Sequence, residues 1–542
     1  MNYFLSLYFI SGRKMNFKPV FVAAALIAAI PAYSQEKALQ VITREVSMMH
    51  MKYLSSDSLE GRRTGSEGNN AAADYISSAA LKTGVSPLPG HDGLRQTLEY
   101  IRITPVPGSS EILVKDTTGN TLHRAEVMPL MPPNDNVSLS GEVVFGGYGY
   151  TNSENKYNDF AGISVNDRIV IIMTRVPELR GSGMPAPGTG ISEMTEVRKL
   201  PMIMLQKAKA VFFVSDPALG SNVSADLLSM GGSYQLVPLF RPQIFNFTLN
   251  AYSISAETAD MLLKSSGLTL KQMQDSIAST RKPASFIIPG VRADINITVA
   301  RDTVTSSNII GYIEGSDPVL RNEAVMFTAH YDHVGRDVAG NIYNGANDNA
   351  SGSVGLLNIA SAFAALEKKP ARSTVFLWTT GEEEGLHGSS YYTENPVFPL
   401  ERTVAVINFD MIGRSRRETD VGASLSGRVD ITGTDTIKVI SGEDCPELVS
   451  LATDACIKSG IHMIDEGKGA HFSGSDHYPF YKKGIPVLFF FSGLHSDYHK
   501  PSDDFEFIDF DKLIKVSKAG FLTGYQVATS PVRLQKEKKA QK

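Results

Sequence analysis

The feature that most constrains the fold is a set of short apolar runs in the C-terminal half, each leading into ionisable residues. They are six or seven residues long and contain no alternating polar positions. Such runs are typical of strands buried on both faces of a parallel sheet. The four runs are residues 324–329, 374–379, 404–409 and 485–491.

Helical segments separate these runs along the chain. Residues 351–369 place Val354, Leu357 and Ala360 on one face of a helix, and residues 446–458 and 511–527 are also helical in pattern. Alternation of strand and helix predicts an α/β fold, doubly wound, with a mostly parallel sheet. Residues 106–298 instead contain strand-like runs between Gly/Pro/Asn-rich loops, which predicts an inserted β-rich domain.

The length of the chain and the pattern of its N-terminus predict how it divides into domains. At 542 residues the chain is too long for one hydrophobic core. Residues 1–34 carry positive charges, a short apolar run and then small residues, the pattern of a signal peptide, with an uncleaved anchor as the alternative and Met15 as an alternative start. The predicted divisions are a signal peptide at 1–34, the α/β domain at 35–105 and 299–530, the insert at 106–298 and a disordered basic tail at 531–542.

Composition excludes several classes of function. A formal charge of −5 gives no basic surface for nucleic acid. After removal of the signal peptide no segment approaches the ~20 apolar residues of a membrane span. Cys445 precedes the predicted helix at 446–458 and Cys456 lies within it, separated by about 16 Å of helix rise and so beyond disulfide reach, and we expect free thiols.

The ionisable residues that follow the apolar runs are candidates for a metal centre. Parallel strands bring their C-terminal ends to one edge of a sheet, where several carboxylates would repel one another unless cations balance them. Histidine and carboxylate ligands without thiolate fit a hydrolytic zinc pair, and Asp348, before the helix at 351–369, could bridge two metals ~3.5–4 Å apart. The candidates are His330, Asp332, Asp348, Glu382, Glu383, Asp410 and His499.

The motifs occur in a recognisable order. His-Tyr-Asp-His-Val-Gly begins at His330, Gly-Ala-Asn-Asp-Asn-Ala-Ser-Gly at Gly345 and Gly-Glu-Glu-Glu-Gly at Gly381; Asn-Phe-Asp-Met-Ile-Gly and Tyr498-His499 follow. This set resembles the di-zinc peptidase family of the secreted bacterial aminopeptidases, aminopeptidase Y and glutamate carboxypeptidase. The segment between the two parts of the α/β domain resembles that family's protease-associated insert.

The resemblance implies roles for individual residues. His330 and Asp410 would hold one Zn²⁺, Glu383 and His499 the second, and Asp348 would bridge them. Glu382 would be the general base, Asp332 would orient His330, and Tyr498 matches a tyrosine that stabilises the tetrahedral oxyanion in some members. Glu384 leaves a one-residue ambiguity between base and ligand, and the further histidine candidates are His333, His387, His477 and His495, with His477 the strongest rival to His499.

These inferences predict an exported zinc exopeptidase, periplasmic or secreted, with two Zn²⁺ per chain and peptides as substrates. The attacking water is expected to be shared by the two metals. We expect removal of N-terminal residues, because the carboxylates of Glu382, Asp410 and Glu384 could receive the ammonium group of a free N-terminus. Arg414 could bind a substrate carboxylate or anchor a loop. The alternatives are a hydrolase like glutamate carboxypeptidase, a single-zinc glutaminyl cyclase and a non-catalytic binding protein on the same fold.

Overall fold

The structure is a computed structural model that describes most of the chain between residues 35 and 536. The ranges described are 35–106, 108–153, 156–177, 199–200, 202–219, 234–240, 250–337, 340–421, 423–424 and 427–536. The predicted signal peptide and residues 537–542 lie outside them.

A nine-stranded sheet forms the frame of the larger unit. Its four central strands run parallel to one another, and antiparallel strands flank them on both sides. In spatial order the strands are β10 (Gln235–Pro238), β1 (Arg95–Pro105), β13 (Val299–Ile313), β17 (Ser373–Thr379), β14 (Ala324–His330), β18 (Thr403–Phe409), β23 (Val487–Phe491), β21 (Thr436–Ser441) and β22 (His462–Gly467).

Helices cover both faces of this sheet because its central strands are apolar on both sides. Within β14, Phe327 belongs to the core cluster under one helical layer, and its neighbour Met326 belongs to the cluster under the other. The first layer contains α1 (Arg44–Leu54), α2 (Glu67–Thr83), α5 (Gly352–Ala365), α7 (Pro446–Lys458) and α9 (Phe510–Thr529), and the second contains α6 (His387–Glu394) and α8 (His477–Lys482).

A second, eight-stranded sheet is formed by the residues between β1 and β13. It carries α3 (Ala256–Leu263) and α4 (Leu270–Thr280) over its own hydrophobic core. Its strands, in spatial order, are β3 (Thr121–Glu126), β2 (Glu111–Asp116), β12 (Phe286–Ile297), β5 (Val137–Phe145), β8 (Ile169–Met173), β9 (Ala210–Val214), β11 (Ala251–Ser253) and β4 (Met128–Pro129). The short paired strands are β6 (Thr151–Asn152) with β7 (Tyr157–Asn158), β15 (Gly335–Arg336) with β16 (Ile342–Tyr343), and β19 (Ala423–Ser424) with β20 (Gly427–Arg428).

The predicted fold class is confirmed: the chain combines a doubly covered, largely parallel sheet with a second β-rich unit. The four apolar runs form the four central parallel strands, and Pro446–Lys458 is helical as expected. The sequence pattern missed β1, β21 and β22. Exposed polar positions interrupt β1 and β22, and β21, although mostly buried, contains Thr436, Lys438 and Ser441 and so lacks a continuous apolar run. Both cysteines are free and buried.

The domain boundaries remain a prediction, and the structure adds two observations about them. β10 lies inside the sequence range of the insert but pairs with β1 at the edge of the large sheet. Of the predicted tail, residues 531–536 are described, and there Leu534 is buried while Arg533 pairs with Glu323. None of the helices in the described ranges is long and apolar enough to cross a membrane.

Helix α9 buries a lysine. The side chain of Lys512 is fully inaccessible to solvent, and its Nζ donates to Oγ1 of Thr432 at 2.8 Å and to the carbonyl oxygen of Gly433 at 3.0 Å. Burial lowers the pKa of Lys512 to about 7, with only partial compensation from the charge of Asp509. Protonating this amine in the folded protein therefore costs free energy.

We expect Lys512→Met to raise the melting temperature more at pH 6 than at pH 9.5. Lysine is charged in the unfolded chain throughout this range, so its burial destabilises the fold fully below pH 7 and progressively less as the pH rises. The difference scales at about 1.4 kcal/mol per pKa unit. Lys518→Met, on the same helix, is the control and should change the melting temperature equally at both pH values. An equal change in melting temperature for Lys512→Met at both pH values would contradict a lowered pKa of Lys512.

Candidate metal centre

The C-terminal ends of the parallel strands bring the predicted ligands together. His330 is the last residue of β14, which lies between β17 and β18. Glu382 and Glu383 follow β17, and Asp410 follows β18 directly. His499 lies in the loop after β23, the fourth parallel strand. Residues separated by up to 169 positions in the chain therefore share one edge of the sheet.

Asp348 reaches the same edge from the loop before α5. Gly345 in this loop has a φ of 56°, and a Cβ there would lie 2.4 Å from Cδ2 of His333, so only glycine fits. The peptide bond between Asp348 and Asn349 is cis. The loop is buried, and it carries the Asp348 carboxylate between the histidines from the other strands.

Five side chains form two groups that share Asp348. In one, Nε2 of His330 lies 3.3 Å from Oδ1 of Asp410 and 3.5 Å from Oδ1 of Asp348. In the other, Nε2 of His499 lies 3.0 Å from Oδ2 of Asp348 and 3.1 Å from Oε2 of Glu383. Each Asp348 oxygen thus faces a different group, the arrangement expected of a bridging carboxylate.

The donors fit zinc. Nε2 of His330, Oδ1 of Asp410 and Nε2 of His499 are buried and have no hydrogen-bond partner within the described ranges. Two candidate metal sites result: His333, Asp348, Glu383 and His499 in one, and His330, Glu382 and Asp410 in the other. Imidazole and carboxylate ligands without thiolate are the set found in hydrolytic zinc centres.

Comparison with known proteins identifies the larger unit. Residues 308–521 match the model of peptidase family M28. This part of the chain belongs to that family. The match includes the candidate ligands and the four parallel strands that carry them.

Two solved structures share the fold over most of the chain. The aminopeptidase from Aneurinibacillus sp. strain AM-1 is 20% identical, with a TM-score of 0.55 over 93% of this chain and 98% of its own. A zinc aminopeptidase from Bacillus subtilis is 19% identical, with a TM-score of 0.54 over 92% of this chain and 96% of its own. At these identities the likeness describes the fold, and the second sheet fits a protease-associated-like domain.

Curated relatives match a shorter part of the chain. A "Probable zinc metalloprotease" from Pyrenophora teres f. teres is 28% identical over 260 residues, 42% of this chain and 53% of its own length. "Leupeptin-inactivating enzyme 1" from Streptomyces exfoliatus is 33% identical over 211 residues, 38% of this chain and 40% of its own. The chain therefore spans about half or less of the length of these two relatives.

The electrostatics of the M28 site follow from its crowded carboxylates. Burial raises the pKa of Glu382 well above its usual range, and the charges of Glu383 and Asp410 add to the effect. Burial alone would also raise the pKa of Glu383, but His499 and His333 outweigh it and hold the pKa well below the usual range. The negative charge therefore concentrates on Glu383, between two histidines.

Asp332 supports the loop that carries the two glutamates. Its carboxylate accepts hydrogen bonds from the backbone N–H of Glu382 at 3.2 Å and of Glu383 at 3.3 Å, and from Oγ1 of Thr64 at 3.0 Å. The Nδ1 of His330 faces the main-chain carbonyl of Asp332, at 3.2 Å, and lies 3.8 Å from its carboxylate. The carboxylate thus contacts the glutamate loop more closely than the histidine that it was expected to orient.

Arg62 contacts the loops that carry His330 and Asp348, although sequence analysis gave it no role. Its guanidinium is buried and donates to the carbonyl oxygens of Tyr331, Asn344 and Gly345, which belong to the loops carrying His330 and Asp348. It lies in the turn-rich segment after α1, whose sequence pattern gave no sign of this contact. Only the tertiary fold brings this segment under the metal loops.

Asp503 and Arg414 fix the Asp348 loop from the other side. Oδ2 of Asp503 accepts from the backbone N–H of Asn347 and of Asp348, both at 3.0 Å. Arg414 is fully buried and pairs with Asp497 at 2.7 Å and Asp503 at 3.4 Å. Of its two predicted roles, the structure therefore shows the loop-anchoring one.

The other candidates have separate positions. Glu384 pairs with Arg63 at 3.0 Å, and Nε2 of His477 contacts the carbonyl oxygen of Phe472 at 2.7 Å rather than either metal group. The ring of Tyr498 stacks on His499 with centroids 3.9 Å apart. His495 is fully buried, and the His387 ring lies 5.7 Å from that of Tyr100. His333 lies beside Glu383, at 2.8 Å.

We expect Asp332→Asn to lower kcat/KM about 10- to 100-fold, the usual effect of changing a group that orients metal ligands. The amide nitrogen would face a backbone N–H of the glutamate loop, where the carboxylate now accepts. Steady-state kinetics with an amino-acyl substrate measures the effect. Thr64→Val, which removes only the hydroxyl contact, should have a smaller effect, and wild-type activity in Asp332→Asn would show that the contact is dispensable.

Proposed function

We propose that this protein is an exported zinc-dependent aminopeptidase with two Zn²⁺ per chain. The observation that carries the proposal is the pair of ligand groups joined by Asp348, with Glu382 beside them. Family membership supports peptide-bond hydrolysis, and the signal-like pattern of residues 1–34 supports a periplasmic or secreted location.

The five ligands would be His330 and Asp410 for one zinc, Glu383 and His499 for the other, and Asp348 for both. Zinc in such a site acidifies water and polarises a carbonyl group. Asp348, Glu383 and Asp410 supply three negative charges, and Glu382 a fourth, so two divalent ions balance the carboxylates of the site.

Glu382 is the residue that we propose for proton transfer. Its Oε2 lies 4.0 Å from Nε2 of His330, and its side chain is 12% exposed, at the margin of the ligand group. As general base it would take a proton from the attacking water and return it to the nitrogen of the leaving amine. Tyr498, stacked on His499, would donate a hydrogen bond to the oxyanion that forms at the former carbonyl.

We expect Glu382→Gln to lower kcat by about 10²- to 10⁴-fold while both zincs remain bound, because glutamine cannot accept the proton. Activity and zinc content of the same preparation are the measurements. The matched variant Glu383→Gln should lose affinity for zinc. Loss of a zinc from Glu382→Gln with retention in Glu383→Gln would show that base and ligand are exchanged.

The preference for a free N-terminus is argued from charge. Glu382, which is not assigned as a zinc ligand, lies beside the ligand groups and can receive a substrate ammonium, whereas Glu384 already pairs with Arg63. Arg414, four residues beyond Asp410, is occupied by Asp497 and Asp503 and is not exposed. Arg414 is therefore not available to bind a substrate carboxylate, which disfavours recognition of an acidic C-terminus through this residue.

A panel of three peptides tests this preference. We expect hydrolysis of a free dipeptide amide and at least a tenfold lower kcat/KM for its N-acetylated form, the loss of about 1.4 kcal/mol of charge-assisted contact. The third peptide is N-blocked and ends in free glutamate. If it is the best substrate, the aminopeptidase assignment is wrong, and a single zinc per chain would instead favour a glutaminyl cyclase.

A further inference from the structure

The carboxylate of Glu383 faces two histidines with its two oxygens. Oε2 lies 3.1 Å from Nε2 of His499 and belongs to the ligand group that includes Asp348. Oε1 lies 2.8 Å from Nδ1 of His333, which is fully buried. His333 is not one of the five residues to which we assign zinc binding. Its contact with Glu383, which is one of them, raises the question of what it does there.

The distances favour a hydrogen bond over coordination. The 2.8 Å separation is that of a hydrogen bond between nitrogen and a carboxylate oxygen. It involves the Glu383 oxygen that does not contact His499, and the same Nδ1 is 3.7 Å from Oδ2 of Asp348. The histidine thus lies closest to the Glu383 oxygen that faces away from His499, while its nitrogen remains within 4.8 Å of the other ligand atoms of that candidate site.

The surroundings hold the His333 ring in this position. A Cβ at Gly345 would lie 2.4 Å from Cδ2 and 2.5 Å from Cγ of the ring, so the Asp348 loop passes directly over it. The backbone N–H of His333 donates to the carbonyl oxygen of Arg62 at 3.3 Å. The ring also meets that of His499 edge to face, with centroids 5.4 Å apart. Because it is buried on all sides, His333 is not placed to contact substrate.

We propose that His333 is a positioning residue for Glu383, donating Nδ1–H to Oε1 so that Oε2 is held toward the metal. The inference rests on the zinc centre of the proposed function. Carboxylates that bind metals are themselves oriented by hydrogen bonds, and loss of such a bond weakens metal binding about 10- to 100-fold. His333 would therefore set the affinity for the zinc held by Glu383 and His499.

Two substitutions separate the hydrogen bond from the volume of the ring. Asparagine can place an amide N–H near the position of Nδ1, whereas glutamine carries its amide one bond farther out. Zinc affinity of the metal-depleted full-length chain is measured by competition with a chromophoric chelator. We expect His333→Gln and His333→Ala to weaken one of the two zinc affinities about 10- to 100-fold, and His333→Asn to stay within a few-fold of wild type.

Two controls frame the measurement. His499→Ala should lose one zinc even at saturating metal, which defines the behaviour of a true ligand. His50→Ala removes another buried histidine, hydrogen-bonded to Tyr75 on the helical side, and should leave both zinc affinities unchanged. All variants should still bind two zincs at saturation except His499→Ala.

The outcomes decide the proposal. Loss of one zinc at saturation from all three His333 variants would make His333 a ligand, and unchanged affinity in His333→Ala would leave it without a role; either result overturns the proposal. Absence of peptidase activity in a chain whose zinc affinities follow the expected pattern would refute the proposed function and leave the inference about His333 standing.

Discussion

The mutual repulsion of buried carboxylates is the constraint on which the site depends. Asp348, Glu382, Glu383 and Asp410 are gathered at one edge of the sheet, with little access to solvent. Like charges at such distances cost several kcal/mol unless cations compensate them. The histidines offset part of this charge: although burial would lower the pKa of His499, Glu383 and Asp348 raise it to about 10. A centre of this kind is stable only when it binds positive charge, which is also what makes it useful for hydrolysis.

The metal-binding loops are held by buried charges of opposite sign. Arg62 donates to the carbonyl oxygens of two loops, and Asp503 accepts from the backbone of the loop that carries Asp348. Arg414 in turn balances Asp503. Buried charges that are hydrogen-bonded to backbone groups favour one arrangement of that backbone, because breaking such a contact leaves a costly unpaired group. This network holds the backbone of the loops that carry His330 and Asp348.

The β-rich insert contributes directly to the rim of the site. Tyr234, just before β10, donates its hydroxyl to the carbonyl oxygen of Thr64 and stacks under the guanidinium of Arg63, which pairs with Glu384. Through Arg63 these contacts connect the insert to Glu384, the residue that follows Glu382 and Glu383. The insert therefore closes one edge of the large sheet and contacts Arg63, the residue that pairs with Glu384.

The sequence by itself determined the central strands, the helices between them and the five candidate ligands. Apolar runs buried on both faces leave a strong local signal, and ligand residues immediately after strand ends have positions that topology fixes. The sequence did not reveal β1 or β22, whose alternating polar faces resemble loops, nor the roles of Arg62, Asp503 and Glu384. Those roles arise from contacts between residues hundreds of positions apart, such as Arg62 with Gly345. Only the tertiary structure decides such contacts, because a single residue's chemistry does not indicate which distant backbone group it will meet.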